Sequence, residues 1–309
     1  RLNRELKTFG SNASGIKAFD AAGAVLVDEP NGPLIFLKRF KDTVLTPMGG
    51  IQYKIMPDIM VYATYSQGYK SGGFNADAPL NSAIDPFFGA ENARNYEAGL
   101  RSKLFDRRLT INATAFSIDY SNLQTQQFVG LQSEVVNAGR ARSQGFELQV
   151  AASPLRGWTI DAGLGYTNAR YRSFVVRDVT SGAVLSNYTG NRLPFAPRWT
   201  SSLSSRYEFG VGTDSKFALQ GEWTYSSSYF QDFINDPIGR AASVSQFNGR
   251  VSFSTKNDKL EFAFWGRNLS NAYVKTDYNG QLPPAIFQGA RFQAYGAPRT
   301  FGADVKVRF

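Results

Sequence analysis

The chain has 309 residues, a formal net charge of +9, and neither cysteine nor histidine. Within this sequence, these absences exclude disulfides, thiol nucleophiles, histidine bases and zinc sites built from the two residue types. The 34 basic residues are dispersed and carry no recognisable binding motif, so the charge does not indicate a nucleic-acid partner. No apolar run approaches the roughly 18–20 residues that a membrane helix requires.

Apolar and polar residues alternate along most of the chain, which is typical of β-strands. The alternation predicts an all-β chain that forms a single domain over residues 1–309, with about twelve strands. In chain order the predicted strands are 1–9, 43–55, 59–68, 95–104, 108–120, 135–152, 158–171, 199–209, 216–229, 243–255, 260–269 and 299–309.

The connections between these strands alternate between long and short to the end of the chain. A sandwich with Greek-key crossings would not follow this rule, whereas an antiparallel up-and-down barrel does. In an outer-membrane barrel the short turns lie in the periplasm and the long loops lie outside the cell. Soluble up-and-down barrels share the topology, so the connections alone leave that alternative open.

The predicted hairpin over residues 143–168 has one apolar and one polar face. The apolar stripe of its second strand begins at Trp158 and ends at Tyr166, and both residues are aromatic. Aromatic residues at both ends of an apolar stripe suit the two interfaces of a membrane, although a sandwich core would also accept them. The pattern favours a transmembrane barrel. Glu147, Asp161 and Glu222 are then expected to face the lumen and to pair with arginines there.

One predicted strand changes the side on which its apolar residues lie. The apolar positions switch from Leu109, Ile111 and Ala113 to Phe116, Ile118 and Tyr120. This switch predicts a β-bulge within the strand.

Several segments resemble one family, the TonB-dependent outer-membrane receptors. The segments are YATYSQGYKSGGFN (62–75), the run NYEAGLRSKLFDRRLTINATAFSIDYSNLQ (95–124), VNAGRARSQGFE (136–147), RNLSNAY (267–273) and the closing YGAPRTFGADVKVRF (295–309). They cover most of the chain and preserve the order of the family's blocks.

The resemblance implies a multi-pass β-barrel in the bacterial outer membrane. Family barrels have about 22 strands, preceded by a TonB box and a plug domain. The chain therefore resembles the C-terminal part of such a barrel, truncated at its N-terminus, with two open strand edges. The partners implied are the TonB complex, acting through the absent N-terminal region, outer-membrane lipid and the barrel-assembly machinery. The terminal Phe309 is the expected assembly signal.

The resemblance also implies import of a scarce nutrient that the long loops capture. A ferric siderophore is the first expectation, and cobalamin, oligosaccharides and other chelates remain open. Aromatic and cationic side chains suit a flat, anionic chelate. The candidate ligand-binding residues are Tyr69, Lys70, Phe74, Asn75, Tyr229, Phe230 and Tyr278. Loop packing is the alternative role for each of them. No cofactor, resident metal or catalytic constellation is expected.

A second hypothesis comes from the residues alone. A complete twelve-stranded barrel would be a passive pore or an autotransporter translocator rather than an energy-coupled receptor. An enzyme such as a barrel phospholipase would need a nucleophile–base pair, which the absence of histidine disfavours.

Overall fold

The computed structural model describes residues 2–12, 17–19, 25–28, 34–75, 87–129, 132–177, 181, 183–255, 259–279 and 291–308. Every regular element in these residues is a β-strand. The strands are β1 (Leu2–Asn12), β2 (Lys17–Phe19), β3 (Val25–Asp28), β4 (Leu34–Leu45), β5 (Met48–Met56), β6 (Ile59–Lys70), β7 (Gly73–Phe74), β8 (Phe87–Phe88), β9 (Glu91–Leu104), β10 (Leu109–Ser121), β11 (Gln124–Val129), β12 (Gln132–Asn137), β13 (Arg140–Ala152), β14 (Trp158–Ser173), β15 (Val175–Arg177), β16 (Val184–Asn187), β17 (Trp199–Val211), β18 (Ser215–Ser226), β19 (Tyr229–Phe230), β20 (Arg240–Ala241), β21 (Val244–Ser254), β22 (Leu260–Arg267), β23 (Lys275–Asn279), β24 (Phe292–Tyr295) and β25 (Thr300–Val307).

Eleven of these strands form one antiparallel sheet, which we call the main sheet. Its order is β25-β22-β21-β18-β17-β14-β13-β10-β9-β6-β5. Each strand of the sheet therefore pairs with the sheet strands that come before and after it along the chain. The sheet is an up-and-down meander whose edge strands β5 and β25 are not paired with each other in the described residues. The main sheet is therefore part of a barrel and is not closed.

The two ends of the main sheet differ in their connections, as the sequence predicts. Five short turns join strand pairs at one end, which we call the short-turn edge. Five long connections join them at the other, the long-loop edge, and each carries a two-stranded hairpin of its own: β7/β8, β11/β12, β15/β16, β19/β20 or β23/β24.

The short turns require unusual backbone conformations. Three successive residues between β9 and β10, Phe105, Asp106 and Arg107, have φ values of 53°, 53° and 67°. Arg108 N donates to Phe105 O at 3.0 Å and closes this turn. In the turn between β13 and β14, Gly157 has φ of 80°, a conformation that glycine adopts without steric cost.

The predicted hairpin at residues 143–168 forms with the expected register. Phe146 lies opposite Tyr166, and Leu148 lies opposite Leu164. Directly opposed residues of an antiparallel pair point to the same face, so the apolar positions of the two strands share one face. We call this the outward face of the main sheet, and the opposite one the inward face.

Some details of the predicted strands are wrong. The predicted strand 135–152 is divided at residues 138–139 between β12 and β13. The predicted strand 43–55 is divided at Thr46–Pro47, because proline has no N–H for the ladder and restricts the residue before it. Its first part belongs to β4, which pairs with β1, and its second part is β5.

The predicted bulge in β10 is also absent. Its register against both β9 and β13 is continuous from Leu109 to Ser121. Phe116, Ile118 and Tyr120 therefore lie on the inward face. Tyr120 packs there against a buried cluster formed by the long connections, which explains why apolar residues change sides near the long-loop edge.

No helix in the described part of the chain is long and apolar enough to cross a membrane.

Candidate ligand-binding site

The outward face carries an apolar and aromatic surface. On β17, Leu203, Tyr207 and Phe209 are 41%, 41% and 37% exposed. Trp158 meets the Tyr207 ring edge-on at 6.4 Å between centroids, and Phe217 stacks on Phe209 at 6.1 Å. The exposed apolar area of this surface is removed from water only when an apolar medium or a partner covers it.

The inward face is polar and forms a concave pocket of about 700 Å³ near the short-turn edge. Tyr62 spans three strands in its wall. Its hydroxyl donates to Glu97 Oε1 at 2.7 Å and lies 3.0 Å from Thr114 Oγ1. The Arg101 guanidinium lies 5.1 Å from the centre of the Tyr62 ring. This network holds β6, β9 and β10 together on the polar side of the sheet.

The three inward carboxylates do not pair with arginines as predicted. Glu222 accepts hydrogen bonds from Gln220 Nε2 at 2.8 Å and Asn248 Nδ2 at 3.3 Å. Glu147 and Asp161 form no ion pair within the described residues. The register explains the result, because none of their direct cross-strand partners is basic.

The long connections cover the inward side of the sheet at the long-loop edge. Tyr171 and Phe174 are 1% and 2% exposed and pack with Phe233, which is 5% exposed. The ring of Phe174 lies 4.9 Å from that of Tyr171 and 5.2 Å from that of Phe233. Residues from separate connections thus share one apolar cluster, and the hairpins have a packed base.

Asparagine side chains join neighbouring long connections. Each side-chain amide pairs with the N–H and C=O of one residue in another connection, as the backbone of a neighbouring strand would. Asn75 donates to Val135 O at 2.9 Å and accepts from Val135 N at 2.8 Å. Asn137 makes the same two contacts with Gly89, and Asn235 makes them with Arg192. These clasps fix the relative positions of hairpins that are distant in sequence.

The structure places the first four candidate residues in one connection. Tyr69 and Lys70 end β6, where Tyr69 is half-buried and Lys70 is exposed. The Phe74 ring lies 5.8 Å from that of Phe87, and Asn75 is 9% exposed with its amide engaged in the clasp. Lys70 is therefore the member of this group with the most accessible side chain.

The other three candidates meet around the β19/β20 hairpin. Tyr229 donates to Lys275 O at 3.4 Å, and Phe230 lies opposite Arg240 in the hairpin ladder. The Tyr278 ring covers Gly239, where an added Cβ would lie 2.4 Å from it. Sequence separation had hidden this grouping, which joins two long connections at the long-loop edge.

The charges in this group are coupled. Tyr278 donates to Asp236 Oδ2 at 2.5 Å, and Arg291 lies 3.7 Å from the same oxygen. Burial and the hydrogen bond to Asp236 raise the pKa of Tyr278 to about 12. Burial alone would raise the pKa of Asp236, but the Tyr278 hydroxyl, the Ile238 amide and Arg291 outweigh it and hold that pKa below its ordinary value.

Some residues of this region carried no signal in the sequence. Gln231 is 5% exposed, and neither polar atom of its side chain has a hydrogen-bond partner in the described residues. Arg240 donates to Ser228 Oγ at 2.7 Å, and Lys275 donates to Ile238 O at 3.0 Å. Both cations lie beside the aromatic candidates, a proximity that only the fold creates.

The described residues contain no group of three acidic side chains that could hold a metal ion. Phe309, the expected assembly signal, lies outside the described residues. The arrangement at the long-loop edge is one of aromatic rings and cations, which can bind a flat or anionic molecule without covalent chemistry.

Residues 21–269 match the family model of the TonB-dependent receptor-like β-barrel. The chain belongs to this family of outer-membrane β-barrels, which consists of transport receptors rather than enzymes.

Individual relatives are similar over parts of the chain. The metal-pseudopaline receptor CntO of Pseudomonas aeruginosa is 31% identical over 183 residues, which are 56% of this chain and 23% of the relative. The ferric-pyoverdine M114 receptor PbuA of Pseudomonas sp. is 24% identical over 279 residues, which are 90% of this chain and 31% of the relative. The chain therefore spans less than a third of each of these two proteins.

The fold is that of solved receptor barrels. The ferric yersiniabactin uptake receptor FyuA from Yersinia pestis superposes with a TM-score of 0.72 at 21% identity, over 93% of this chain and 40% of that receptor. At this identity the likeness shows the fold alone.

Proposed function

We propose that this chain is the C-terminal part of the barrel of a TonB-dependent receptor that imports a ferric siderophore. The observation that carries the proposal is the group of Tyr229, Phe230 and Tyr278 with the cations Arg240 and Lys275 at the long-loop edge. Aromatic faces and cations together favour a flat, anionic chelate. Two similar proteins, the metal-pseudopaline receptor CntO and the ferric-pyoverdine M114 receptor PbuA, are named as receptors for such chelates, which supports the same ligand class.

In the proposed orientation the long-loop edge lies outside the cell and the short-turn edge lies in the periplasm. The chelate binds among the hairpins, above the polar inward face. The inward pocket beside Tyr62 and Arg101 then faces the plug domain of the whole receptor, whose rearrangement by TonB opens a path through the barrel. This sequence supplies the wall and the outer mouth, while energy coupling belongs to the whole receptor.

The test is uptake of radiolabelled ferric siderophores by a receptor-deletion strain that carries the full-length gene. A panel of catecholate, hydroxamate and carboxylate chelates identifies the ligand. Uptake of one chelate that depends on the gene and on TonB supports the proposal, and unchanged uptake across the panel defeats the iron assignment.

A pair of variants then tests the proposed ligand-binding group at the long-loop edge. Tyr278→Ala removes the ring and its bond to Asp236, and we expect it to lower uptake of the identified chelate. Tyr273→Ala is the matched control, because Tyr273 lies in the same connection and is 81% exposed. Equal uptake by the two variants would show that Tyr278 does not contribute to binding of the chelate.

A further inference from the structure

Three cations line the inward pocket near the short-turn edge. They are Lys54 of β5 and Arg101 and Lys103 of β9. Lys54 and Arg101 both lie opposite Met60 of β6, so they share one cross-strand row and stand two strand spacings, or about 10 Å, apart. Lys103 follows Arg101 on the same face of β9, about 7 Å closer to the short-turn edge. We call Lys54, Arg101 and Lys103 the inner basic group.

The charges of the inner basic group are not neutralised by the protein. All three side chains are exposed, and none of them forms an ion pair in the part of the chain that the structure describes. Two carboxylates of the same pocket are engaged with other residues. Asp58 lies 3.9 Å from the Arg107 guanidinium. Glu97 accepts a hydrogen bond from the Tyr62 hydroxyl at 2.7 Å. The positive charge of the group is therefore available to a molecule in the pocket.

The pocket combines this charge with an aromatic face. The Arg101 guanidinium lies 5.1 Å from the centre of the half-buried Tyr62 ring. Aromatic rings beside cations also form the group at the long-loop edge, where Lys275 lies beside Tyr229. The pocket volume of about 700 Å³ is within the range of sites that hold small molecules. The same chemistry therefore recurs at the opposite end of the main sheet.

Carboxylates without ion pairs lie farther along the same inward face. Glu147 belongs to β13 and Asp161 to β14, and neither forms an ion pair within the described residues. Asp161 and Lys103 share one cross-strand row and stand three strand spacings, or about 14 Å, apart. The lower part of the wall is thus basic at β5 and β9 and acidic at β13 and β14. An anion beside this wall is attracted to the first pair of strands and repelled by the second.

We propose that the inner basic group is a second, transient binding site for the anionic chelate on its way from the outer mouth to the periplasm. The proposal rests on the proposed function, from which it takes the chelate and the orientation of the barrel. It adds that the chelate leaves along the β5–β9 side of the wall. Transit requires a site that binds strongly enough to admit an ion and weakly enough to release it. Exposed side chains such as Arg101 and Lys103 meet both requirements.

The experiment uses the full-length receptor in the receptor-deletion strain. The probe is the radiolabelled anionic chelate that the native receptor takes up from the panel. The first test variant is Arg101→Gln with Lys103→Gln, and the second is Arg101→Glu with Lys103→Glu. The control is Arg156→Gln with Lys259→Gln, which removes the same charge as the first variant from two short turns. Binding at the cell surface is measured without TonB, and the maximal uptake rate is measured with TonB.

We expect the first test variant to lower the maximal uptake rate about threefold, because attraction of the anion is lost. The second should lower it about tenfold or more, because repulsion is added. Both should keep the native Kd at the cell surface, and the control should keep both quantities. A native uptake rate in the second test variant would overturn the proposal. A weaker Kd at the surface would place the effect at the outer mouth and would also overturn it.

A second measurement distinguishes the chelate from an acidic segment of the plug domain as the partner of these cations. Vancomycin is too large to cross an intact outer membrane, so sensitivity to it reports a plug that no longer seals the barrel. We expect cells with either test variant to be as resistant as cells with the native receptor. Increased sensitivity would show that the cations hold the plug, and this result would overturn the proposal. Heat-modifiable migration on gels establishes that each variant is folded.

Failure of this proposal is distinguishable from failure of the proposed function. If the native receptor takes up no chelate of the panel, the proposed function fails and the inner site falls with it. If the native receptor and both test variants take up the chelate equally, only the inner site fails. Identification of an uncharged chelate would likewise overturn the inner site and leave the assignment as a siderophore receptor in place.

Discussion

Single polar residues fix the geometry of the long-loop edge. The bond between Tyr278 and Asp236 links the β23/β24 hairpin to the connection that carries β19/β20. Its strength depends on pH, because each partner must keep one protonation state. Tyr278 must remain protonated to donate, and Asp236 must remain ionised to accept strongly.

The sign of the pH dependence follows from the two shifts. The depressed pKa of Asp236 contributes stability that is present above the unfolded value of about 4 and is lost as the pH falls through the folded pKa. The raised pKa of Tyr278 contributes stability that is present below the unfolded value of about 10 and is lost as the pH rises through about 12. We expect hydrogen-exchange protection of residues 232–241, corrected for intrinsic exchange, to be constant between about pH 4 and about pH 10. Protection should decline below and above this range. A Tyr278→Phe receptor that kept the same pH dependence would contradict this assignment.

The asparagine clasps are a second residue-scale device. Asn75→Ala leaves the N–H and C=O of Val135 without their partner, which costs about 1–3 kcal/mol of local stability for unsatisfied buried groups. We expect faster hydrogen exchange in residues 132–137 in this variant, with little change elsewhere. Asn92→Ala is the matched control, because Asn92 is exposed and its side chain forms no hydrogen bond in the described residues. Equal exchange in the two variants would show that the clasp contributes nothing.

At the scale of elements, inward side chains connect neighbouring strands. Tyr62 of β6 crosses Gly99 of β9 to reach Thr114 of β10. A Cβ at residue 99 would lie 2.6 Å from the Tyr62 ring, so Gly99→Ala displaces the ring and breaks its bond with Glu97.

We expect Gly99→Ala to lower the free energy of unfolding by about 1–3 kcal/mol, the usual cost of overpacking. In a Tyr62→Ala background the same substitution should cost little, because the clash has been removed. Thermal unfolding of the four proteins of this double-mutant cycle measures the difference. Additive effects would contradict the coupling. Gly221→Ala is the control, because nothing lies within 4 Å of its added Cβ.

The strands of the main sheet, its two faces and the alternation of its connections follow from local patterns, because a period of two and turn chemistry act over a few residues. The clasps do not, since Asn75 and Val135 are 60 residues apart and asparagine is common in ordinary loops. The sequence does not indicate that Tyr229 and Tyr278 are neighbours, because only the fold brings them to one hairpin. The apolar switch in β10 wrongly predicts a bulge because the inward face becomes apolar beneath the long connections.

At the scale of the whole molecule, the main sheet has an apolar outward face and a polar inward face. Its connections are short at one edge and long at the other. Its outward face is apolar over the height between aromatic residues such as Trp158, near the short-turn edge, and Tyr166, near the long-loop edge. Within the described residues its edge strands have one unpaired side each, and pairing with further strands would satisfy those backbone groups in lipid. The family match supplies the expectation that the whole receptor provides those strands.

The orientation of this wall can be tested directly, because the 309 residues contain no cysteine. Single cysteines at Lys70 and Tyr273 mark the long-loop edge, and single cysteines at Arg107 and Arg156 mark the short-turn edge. All four are placed in a full-length receptor made free of other cysteines.

In intact cells a membrane-impermeant maleimide should label the first pair, and the second pair should react only after the outer membrane is opened. Labelling of Arg107→Cys or Arg156→Cys in intact cells would reverse the orientation. It would also remove the basis for a ligand site among the hairpins. Labelling of the first pair alone would place the long-loop edge, and with it the proposed ligand site, at the outer surface of the cell.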